Sequence, residues 1–340
     1  MKSRAAGVRA GVRAVLAATD ERFRKWGYML LPQHPQTDIV GTRGDRSTRA
    51  CSVLVLSRVS YGVSDRGRLT FPLWRRLTVI GIMRKDREMA IPAPIQAFID
   101  RQTDAAARSY DDLRAVIFNG TLERSPEPSH TDGLLAIVLS ILERTGVDTV
   151  QVRTVDHEIP PGVWPDMCDH GYETDDFPAI YRDAVAPADI IVVAGPIWLG
   201  DQSSQTRKII ERLYAYSADV NSAGQWSYYG KVGGALTTGN EDGGKHVSAQ
   251  ILYALQHIGL AIPPQSDAYW NGEAGPGPSY LDPGSGGPEN AWTTRNTVFM
   301  TWNLLHLARM LKDAGGFPAY GNSTHDWNLS QPTHPNPEFR

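Results

Sequence analysis

The chain has little cysteine and lacks the short motifs of several common enzyme classes. Its 340 residues include only two cysteines, Cys51 and Cys168, which excludes a disulfide framework, a four-cysteine cluster and a C-x-x-C redox pair and suits a reducing cytoplasm. The histidines lack metal-ligand spacing and no H-E-x-x-H occurs, so we expect no metal site. The absence of G-x-S-x-G argues against an α/β-hydrolase. We assign no catalytic acid or base.

Long apolar runs are also absent. No segment approaches the roughly 18 consecutive apolar residues that a membrane-spanning helix needs, so we expect no membrane span. The composition, with 41% hydrophobic and 21% charged residues, is ordinary for a globular protein. A chain of this length can hold one large domain or two.

Positive charge is concentrated at the start of the chain, although the net charge is only −3. Residues 1–88 hold 18 lysines and arginines against 7 acidic residues, whereas residues 89–340 hold 16 against 30. The first segment has four interpretations: a nucleic-acid-binding arm, a transit peptide, a small added domain, or codons translated upstream of a true start at Met89. We favour the fourth, because the charge changes at Met89 and GC-rich codons supply arginine, glycine and alanine.

These features predict the domain organisation. Residues 1–88 form an arginine-rich extension, disordered or included through a wrong start, and residues 89–315 form the folded domain. Residues 316–340 contain several prolines and form a loose tail. The arginines of the extension are scattered and show no helix-turn-helix pattern, so we expect no nucleic-acid partner.

The segment RAVIFNGTLERSPEPSHT, residues 114–131, has the pattern of a strand, a polar loop and a helix start. Residues 115–118 are apolar, Asn119 and Gly120 permit a tight turn, and a hydroxyl-capped helix begins near His130. The unpaired N–H groups at such a helix end are typical of an anion site. The loop has neither G-x-x-x-x-G-K-[ST] nor G-x-G-x-x-G, which favours a terminal monophosphate. The alternative is an ordinary connection to a capped helix.

Two later segments repeat this order of strand, special loop and helix. Residues 190–194 are continuously apolar, as in a strand buried on both faces of a parallel sheet, and lead through 195–200 into a helix. Residues 232–236 lead through 237–243 into a helix with apolar residues at helical spacing. Ligands of open α/β sheets bind outside the carboxyl ends of the strands, so the three loops predict one cleft.

The motifs NGTLERSPEPSHT, GPIWLGDQSS, TTGNEDG and YWNGEAGP, in this order, make the chain similar to the NADPH-dependent FMN reductases of the flavodoxin-like superfamily. The similarity covers about residues 112–313. Together with the repeated strand, loop and helix, it implies an α/β, flavodoxin-like three-layer sandwich with a five-stranded parallel sheet in the order 2-1-3-4-5. It further implies FMN as cofactor, NADPH or NADH as co-substrate, and a homodimer or homotetramer.

By this resemblance, three groups of residues surround the flavin. Around the phosphate we expect Thr121, Leu122, Arg124, Ser129, His130 and Thr131. Along the isoalloxazine ring we expect Pro196, Ile197, Trp198, Leu199 and Gly200. At the pyrimidine edge we expect Thr238, Gly239, Asn240, Glu241 and Asp242. Many relatives have a basic residue where this chain has Glu123, which leaves Arg124 as the cation for the phosphate.

Ordinary structural roles are the alternatives for these residues. Trp198 can supply a wall of the ring slot, but it can equally be a partly buried aromatic in a core or interface. Glu241 and Asp242 can be turn residues that favour the start of the next helix.

The remaining segments complete the expected domain. We expect helices over 91–108 (with Ile95, Phe98 and Ile99 on its apolar face), 130–144 and 292–312, and a second strand over 149–155. A fifth strand over 261–270, interrupted by two prolines, is expected at a sheet edge. The polar segment 157–176 either covers the flavin or is a surface loop, and 272–289 is an irregular connection.

The function that follows is an NAD(P)H-dependent FMN oxidoreductase that works in the cytoplasm and passes hydride through FMN to a quinone, a flavin or another small acceptor. The alternative is a flavodoxin-type electron-transfer module that does not oxidise nicotinamide directly, which the acidic balance of residues 89–340 supports. A third possibility is a protein that keeps the fold without the flavin.

Overall fold

The computed structural model describes residues 91–273 and 277–330. The interpretations of residues 1–88 and of a start at Met89 concern residues outside this description. The fold below is that of the described residues.

Five parallel strands form the central sheet. They are β1 (Arg114–Asn119), β2 (Asp148–Arg153), β3 (Ile190–Trp198), β5 (Val232–Gly239) and β6 (Asp267–Asn271), and a short β4 (Asp201–Gln202) pairs antiparallel with the end of β3. The parallel strands lie in the order β2-β1-β3-β5-β6. When the parallel strands alone are numbered, this is the predicted flavodoxin-like order 2-1-3-4-5, which is therefore confirmed. The antiparallel β4 is an addition that the sequence did not reveal.

Helices cover both faces of the sheet. They are α1 (Ala93–Asp104), α2 (His130–Arg144), α3 (Phe177–Ile180, continued by a π-helical turn Tyr181–Val185), α4 (Ser204–Tyr214), α5 (Gly244–His257), α6 (Ala291–Ala314) and α7 (Thr324–Ser330). Successive strand residues point to opposite faces, so the strands fill two cores. One core includes Ile117 and Val192 with α1, α2 and α6, and the other includes Val116 and Ile191 with α3, α4 and α5.

Four predicted elements differ from the structure. Strands β3 and β5 continue to Trp198 and Gly239, through residues expected in the loops 195–200 and 237–243, because these residues still pair in the sheet. Helix α1 is shorter than the expected 91–108, and Phe98 is 37% exposed, with the Arg101 guanidinium 5.9 Å from its ring centroid, while Ile99 alone of the helix is buried. Ala261 pairs with Val232 only as an isolated parallel bridge, and the last strand itself begins at Asp267. The prolines at 263 and 264, which lack the N–H groups of a sheet ladder, interrupt the pairing as expected. The position of this strand at the sheet edge is as predicted.

Most residues of the polar segment 157–176 are exposed, as in a surface loop, but the segment is anchored to α4. The guanidinium of Arg212 on α4 donates to the carbonyl oxygens of Trp164 (2.6 Å) and Pro165 (2.9 Å) and to the carboxylate of Asp175 (2.6 Å). The Arg212 and Asp175 side chains are fully buried. This clamp fixes the segment against the end of α4.

The segment after Gly315, expected to be a loose tail, contains α7 and makes defined contacts. The Gln225 Nε2 group donates to the Asn322 Oδ1 atom (3.0 Å) and to the Pro318 carbonyl (3.1 Å). The described parts of the connection 272–289 contain neither helix nor strand, as expected. Among the described helices, including the 24-residue α6, none has the length and apolar character to cross a membrane.

Candidate functional site at the carboxyl edge of the sheet

The loops that follow β1 and β3 meet in a tight backbone contact. The Gly120 N–H donates to the Ala194 carbonyl (2.8 Å), and the Ser203 hydroxyl donates to the Gly120 carbonyl (2.9 Å). A Cβ atom on Gly120 would lie 2.4 Å from the Thr206 Oγ1 atom, so only glycine permits this approach. The first and second predicted loops are therefore joined at their bases.

Two further hydrogen bonds bring the third loop to the others. The Thr131 and Thr238 hydroxyl oxygens lie 3.1 Å apart, which joins the start of α2 to the end of β5. The Leu199 N–H donates to the Glu241 carboxylate at 2.6 Å, which joins the loop after β3 to the loop after β5. The three groups of predicted residues therefore lie along one edge of the sheet.

The loop after β1, residues 120–129, combines buried hydroxyls with exposed long side chains. Thr121, Ser129 and Thr131 are buried, whereas Leu122 and Arg124 are exposed. The Ser129 side chain caps α2 by accepting from the Asp132 N–H (3.1 Å). The His130 Nδ1 atom accepts from the Leu281 N–H (3.1 Å), so this histidine ties the loop after β6 to α2.

Three side chains that the sequence interpretation missed support this loop: Asn119, Asp132 and Arg153. The Asp132 carboxylate accepts from the Ser129 N–H (3.0 Å), the Ser129 hydroxyl (2.9 Å), the Asn119 amide (2.7 Å) and the Arg153 guanidinium. The S-x-x-D spacing of a capping box could have indicated Asp132. An arginine at the end of a strand carries no such signal, because most arginines in that position are on the surface.

Several N–H groups of the loop remain available to a ligand. Within the described part of the chain, the N–H groups of Leu122, Arg124, His130 and Thr131 have no protein acceptor. Two of them belong to the first turn of α2, whose partial positive charge attracts anions. This donor set and the buried hydroxyls beside it fit a phosphate monoester.

The segment 195–202 contains the end of β3, a sharp turn at residues 199 and 200, and β4, and it becomes exposed towards the turn. Pro196 is half-buried and Ile197 is buried, but Trp198 is 36% and Leu199 is 96% exposed. Leu199 has φ 55°, an uncommon value for a residue with a Cβ atom, and Gly200 follows with φ 73°. A Cβ atom on Gly243 would lie 2.7 Å from the Gly200 Cα atom, so the backbones of two loops touch here.

The loop after β5 has a mixed character. Thr238 is buried, Gly239, Asn240 and Glu241 are half-buried, and Asp242 is exposed. The Asn240 amide donates to the Gly277 carbonyl (3.1 Å). Since the Glu241 carboxylate accepts from the Leu199 N–H, its direct role in the structure is to connect two loops, just as His130 connects α2 to the loop after β6.

Burial also affects two tyrosines near this edge. Desolvation raises the pKa of Tyr269, whose ring lies 5.0 Å from that of Trp292, and desolvation likewise raises the pKa of Tyr280. Both phenols therefore stay neutral at physiological pH. Within residues 91–273 and 277–330, no cluster of three or more histidine, cysteine, aspartate or glutamate side chains could hold a metal ion.

A separate apolar groove of about 410 Å³ lies between α4 and α5. Its walls include Val163, Ile210, Tyr214, Tyr253 and Ile258, and none of the predicted site residues. The candidate site itself is an open edge where three loops converge.

Comparison with known proteins identifies relatives of this chain. The family model of NADPH-dependent FMN reductases matches residues 113–274. The 8-demethyl-8-aminoriboflavin-5'-phosphate synthase of Streptomyces davaonensis is 37% identical over 206 residues, which are 59% of this chain and 79% of the synthase. The crystal structure of RosB with the bound intermediate 8-demethyl-8-formylriboflavin-5'-phosphate has 33% identity and a TM-score of 0.58, over 67% of this chain and 90% of RosB.

A second relative is larger. The divalent metal cation transporter MntH of Mycobacterium bovis is 59% identical over 211 residues, which are 62% of this chain. The match spans only 31% of that protein. The name of the transporter refers to the full-length protein, and this chain resembles less than a third of it.

Proposed function

This chain belongs to the NADPH-dependent FMN reductase family, and on that premise we propose that it passes hydride from NADPH or NADH to a quinone, a flavin or another small acceptor. It is a flavin-dependent oxidoreductase whose cofactor is FMN and whose co-substrate is a nicotinamide dinucleotide. When bound, FMN supplies the hydride chemistry, and the protein supplies binding, orientation and electrostatics.

The observation that carries the proposal is the joining of three loops by the Thr131 to Thr238 and Leu199 to Glu241 contacts. In our proposal, the first loop binds the phosphate through the N–H groups of Leu122, Arg124, His130 and Thr131, which have no acceptor among the described residues. Residues 196–200 lie along the ring, and residues 238–242 lie at its pyrimidine edge. The side chains of Ser129, His130 and Glu241 do not contact the flavin in this proposal, but they hold the loops that do.

No described side chain is assigned a proton transfer. Trp198 and Leu199 are exposed apolar groups that can cover a flat ring, and the exposed edge leaves room for two substrates to use one ring face in turn. This arrangement predicts ping-pong kinetics.

One absorbance experiment tests the proposal. The full-length protein is loaded with FMN, freed of excess flavin and mixed anaerobically with NADPH or NADH. Prompt loss of the oxidised flavin spectrum, and parallel initial-rate lines when donor and acceptor are varied, are the expected results. A flavin that stays oxidised with both donors contradicts the proposal and favours the electron-transfer module.

The relation to MntH suggests one acceptor for the same assay. That protein is named a divalent metal cation transporter, and one-electron reduction of a ferric chelate yields a divalent cation. Each NAD(P)H would reduce two ferric ions. Assays with quinones, free flavin and ferric citrate in parallel, with ferrous iron trapped by a chromogenic chelator, identify which acceptor turns over fastest.

A second candidate function is favoured by the sequence identity to the Streptomyces davaonensis synthase and by the structural match to RosB. In that case the flavin phosphate is a substrate that is altered at its 8 position. Chromatography and mass spectrometry of flavin recovered after aerobic incubation with candidate amine donors separate the two functions. Unchanged FMN supports the reductase, and an 8-modified flavin supports the synthase.

We further propose a homodimer or homotetramer in the cytoplasm, where NADPH is available. The exposure of Trp198 and Leu199 beside the candidate ring slot supports the oligomer, because a second subunit would cover this apolar surface. Light scattering after size exclusion checks the assembly, and a monomer at micromolar concentration contradicts it.

A further inference from the structure

We propose that Arg153, at the end of β2, is the positioning residue that makes this site prefer a flavin with a phosphate over one without. The inference rests on the proposed flavin site. It concerns a side chain that lies beneath the loop after β1 rather than in it.

Arg153 grips the loop through its backbone. One guanidinium nitrogen, Nη1, donates to the carbonyl oxygens of Glu123 (3.1 Å) and Glu127 (2.6 Å). The other, Nη2, donates to the Asp132 carboxylate. The Arg153 side chain is only 6% exposed, so these bonds form in a place shielded from water.

The hydrogen bond to the Glu123 carbonyl sets the direction of one N–H group of the loop, that of Arg124. A trans peptide is planar, with its carbonyl and the following N–H pointing in opposite directions. Since the Glu123 carbonyl points inward to Arg153, the Arg124 N–H points outward. Arg153 therefore presents a donor on the side of the loop where an anion can approach.

Arg153 also corrects the charge of the site. Asp132 lies in the first turn of α2, below the free N–H groups of His130 and Thr131, and its side chain is 10% exposed. An unbalanced carboxylate in that position would repel a phosphate. The guanidinium of Arg153 neutralises it and leaves the positive end of the helix dipole to act on the ligand.

The exposed Arg124 has a different role in this scheme. It is free to approach a phosphate, but its charge is solvated and screened by salt. Arg153 is fixed by three protein acceptors, so it acts on the phosphate through the loop and through Asp132 and not by contact.

The experiment compares binding of FMN and riboflavin by fluorescence titration of the full-length protein. The variants are Arg153→Met, Arg153→Lys and the double variant Arg153→Met with Asp132→Asn. Arg212→Met is the matched control, because Arg212 is also a buried arginine paired with an aspartate, but it holds the segment 157–176. Circular dichroism verifies that each variant is folded.

In Arg153→Met, the ratio of FMN affinity to riboflavin affinity should fall roughly tenfold or more. The double variant should recover part of that ratio, because it restores the charge balance, and Arg212→Met should keep the wild-type ratio. Equal losses for the two flavins in Arg153→Met, or no recovery in the double variant, would overturn the inference.

Arg153→Lys keeps the inference testable if Arg153→Met does not fold. Lysine preserves the charge but cannot place two nitrogens on the acceptors that Arg153 holds. The ratio of FMN affinity to riboflavin affinity should therefore fall by about threefold, and an unchanged ratio counts against the proposal. If the wild-type protein binds neither flavin, the proposed function fails together with this inference. If the wild type binds FMN and the ratio is insensitive to residue 153, only the inference fails.

Discussion

At the proposed phosphate end of the candidate site, which is the loop 120–129 with the start of α2, the Asp132 carboxylate accepts hydrogen bonds from four donors, whose side chains are buried. At the ring end, Leu199 is 96% exposed and Glu241 provides the hydrogen bond that holds its N–H. The two ends follow neighbouring strands of one sheet, yet one is held by a network and the other by a few contacts.

The difference indicates where binding energy has to be supplied. Donors at the phosphate end are fixed before the ligand arrives, so little conformational entropy is lost there on binding. The ring end has apolar groups in open positions and a backbone turn at positive φ, a combination found where a ligand or a second subunit completes the structure. The proposed phosphate end should therefore set the selectivity between flavins with and without a phosphate. The ring end should change conformation when a ligand or a second subunit binds.

The largest expected effect compares stability at the two ends. Asp132→Ala leaves Arg153 buried without its carboxylate, so the free energy of unfolding should fall by about 3–5 kcal/mol. Glu241→Ala removes one hydrogen bond from a half-buried site and should cost about 1 kcal/mol. Urea denaturation measures both, with the exposed Asp242→Ala as control. Equal losses of unfolding free energy in Asp132→Ala and Glu241→Ala would contradict the difference between the two ends.

Lys231, at the amino edge of the sheet, gives a reference for stability measurements that is independent of both ends of the candidate site. Burial lowers the pKa of Lys231 to about 8, with Asp189 opposing and Lys312 adding to the shift. Its Nζ atom donates to the carbonyls of Ala186 and Ala188, each at 2.7 Å.

Between pH 8 and 10 the unfolded chain binds more protons at Lys231 than the folded one, so stability should rise with pH by roughly 1–2 kcal/mol. Above pH 10 the raised pKa of Tyr216, about 12, works in the opposite direction because the unfolded tyrosine ionises first. Urea denaturation at pH 7.5, 8.5 and 9.5 measures the rise. It should disappear in Lys231→Met, and an equal rise in that variant would assign it to other groups.

The hydroxyl pair of Thr131 and Thr238 joins the two ends and should show coupling. Each substitution by valine leaves the other buried hydroxyl without its partner, so each should cost about 1 kcal/mol of stability. The double variant should cost less than the sum of the singles. A double-mutant cycle by urea denaturation measures the coupling, and additive losses would show that the two ends are independent.

Leu199→Gly should have the smallest effect on stability. The side chain is almost fully exposed and its φ of 55° suits glycine, so the free energy of unfolding should change by no more than about 0.5 kcal/mol. The affinities for FMN and riboflavin should fall by the same factor, because the ring is common to both. Thermal denaturation and flavin titration test this, and a loss confined to FMN would contradict the difference between the ends.

Much of the fold was predictable because the pattern of each element agrees with its place in the sheet. The apolar run at 190–194 is a central strand, and helix α2 spans residues 130–144 as predicted from its serine cap and apolar spacing. The predicted loops lie together because parallel strands bring their carboxyl ends to one edge. The start of the last strand, near the prolines, and the two-residue β4 were harder to predict, since a short strand has no periodicity.

The contacts that connect the site's support to other strands were not predictable from local patterns. Asp132 and Arg153 are 21 residues apart, and their contact exists only because β1 and β2 are adjacent in the sheet. The contact between Glu241 and the Leu199 N–H likewise depends on a neighbour that spacing does not specify. The order of strands and loops was enough to predict that these loops lie together, while the contacts beneath them depend on the assembled fold.

The Arg212 clamp allows the segment 157–176 to change its surface without losing its anchor. The guanidinium contacts the backbone oxygens of residues 164 and 165, which any amino acid would provide, and depends on a single side chain, Asp175. Substitutions at Trp164 or at the exposed Cys168 can therefore accumulate while the path of the chain is preserved. The side chains of this segment can therefore form a new recognition surface while its backbone stays in place.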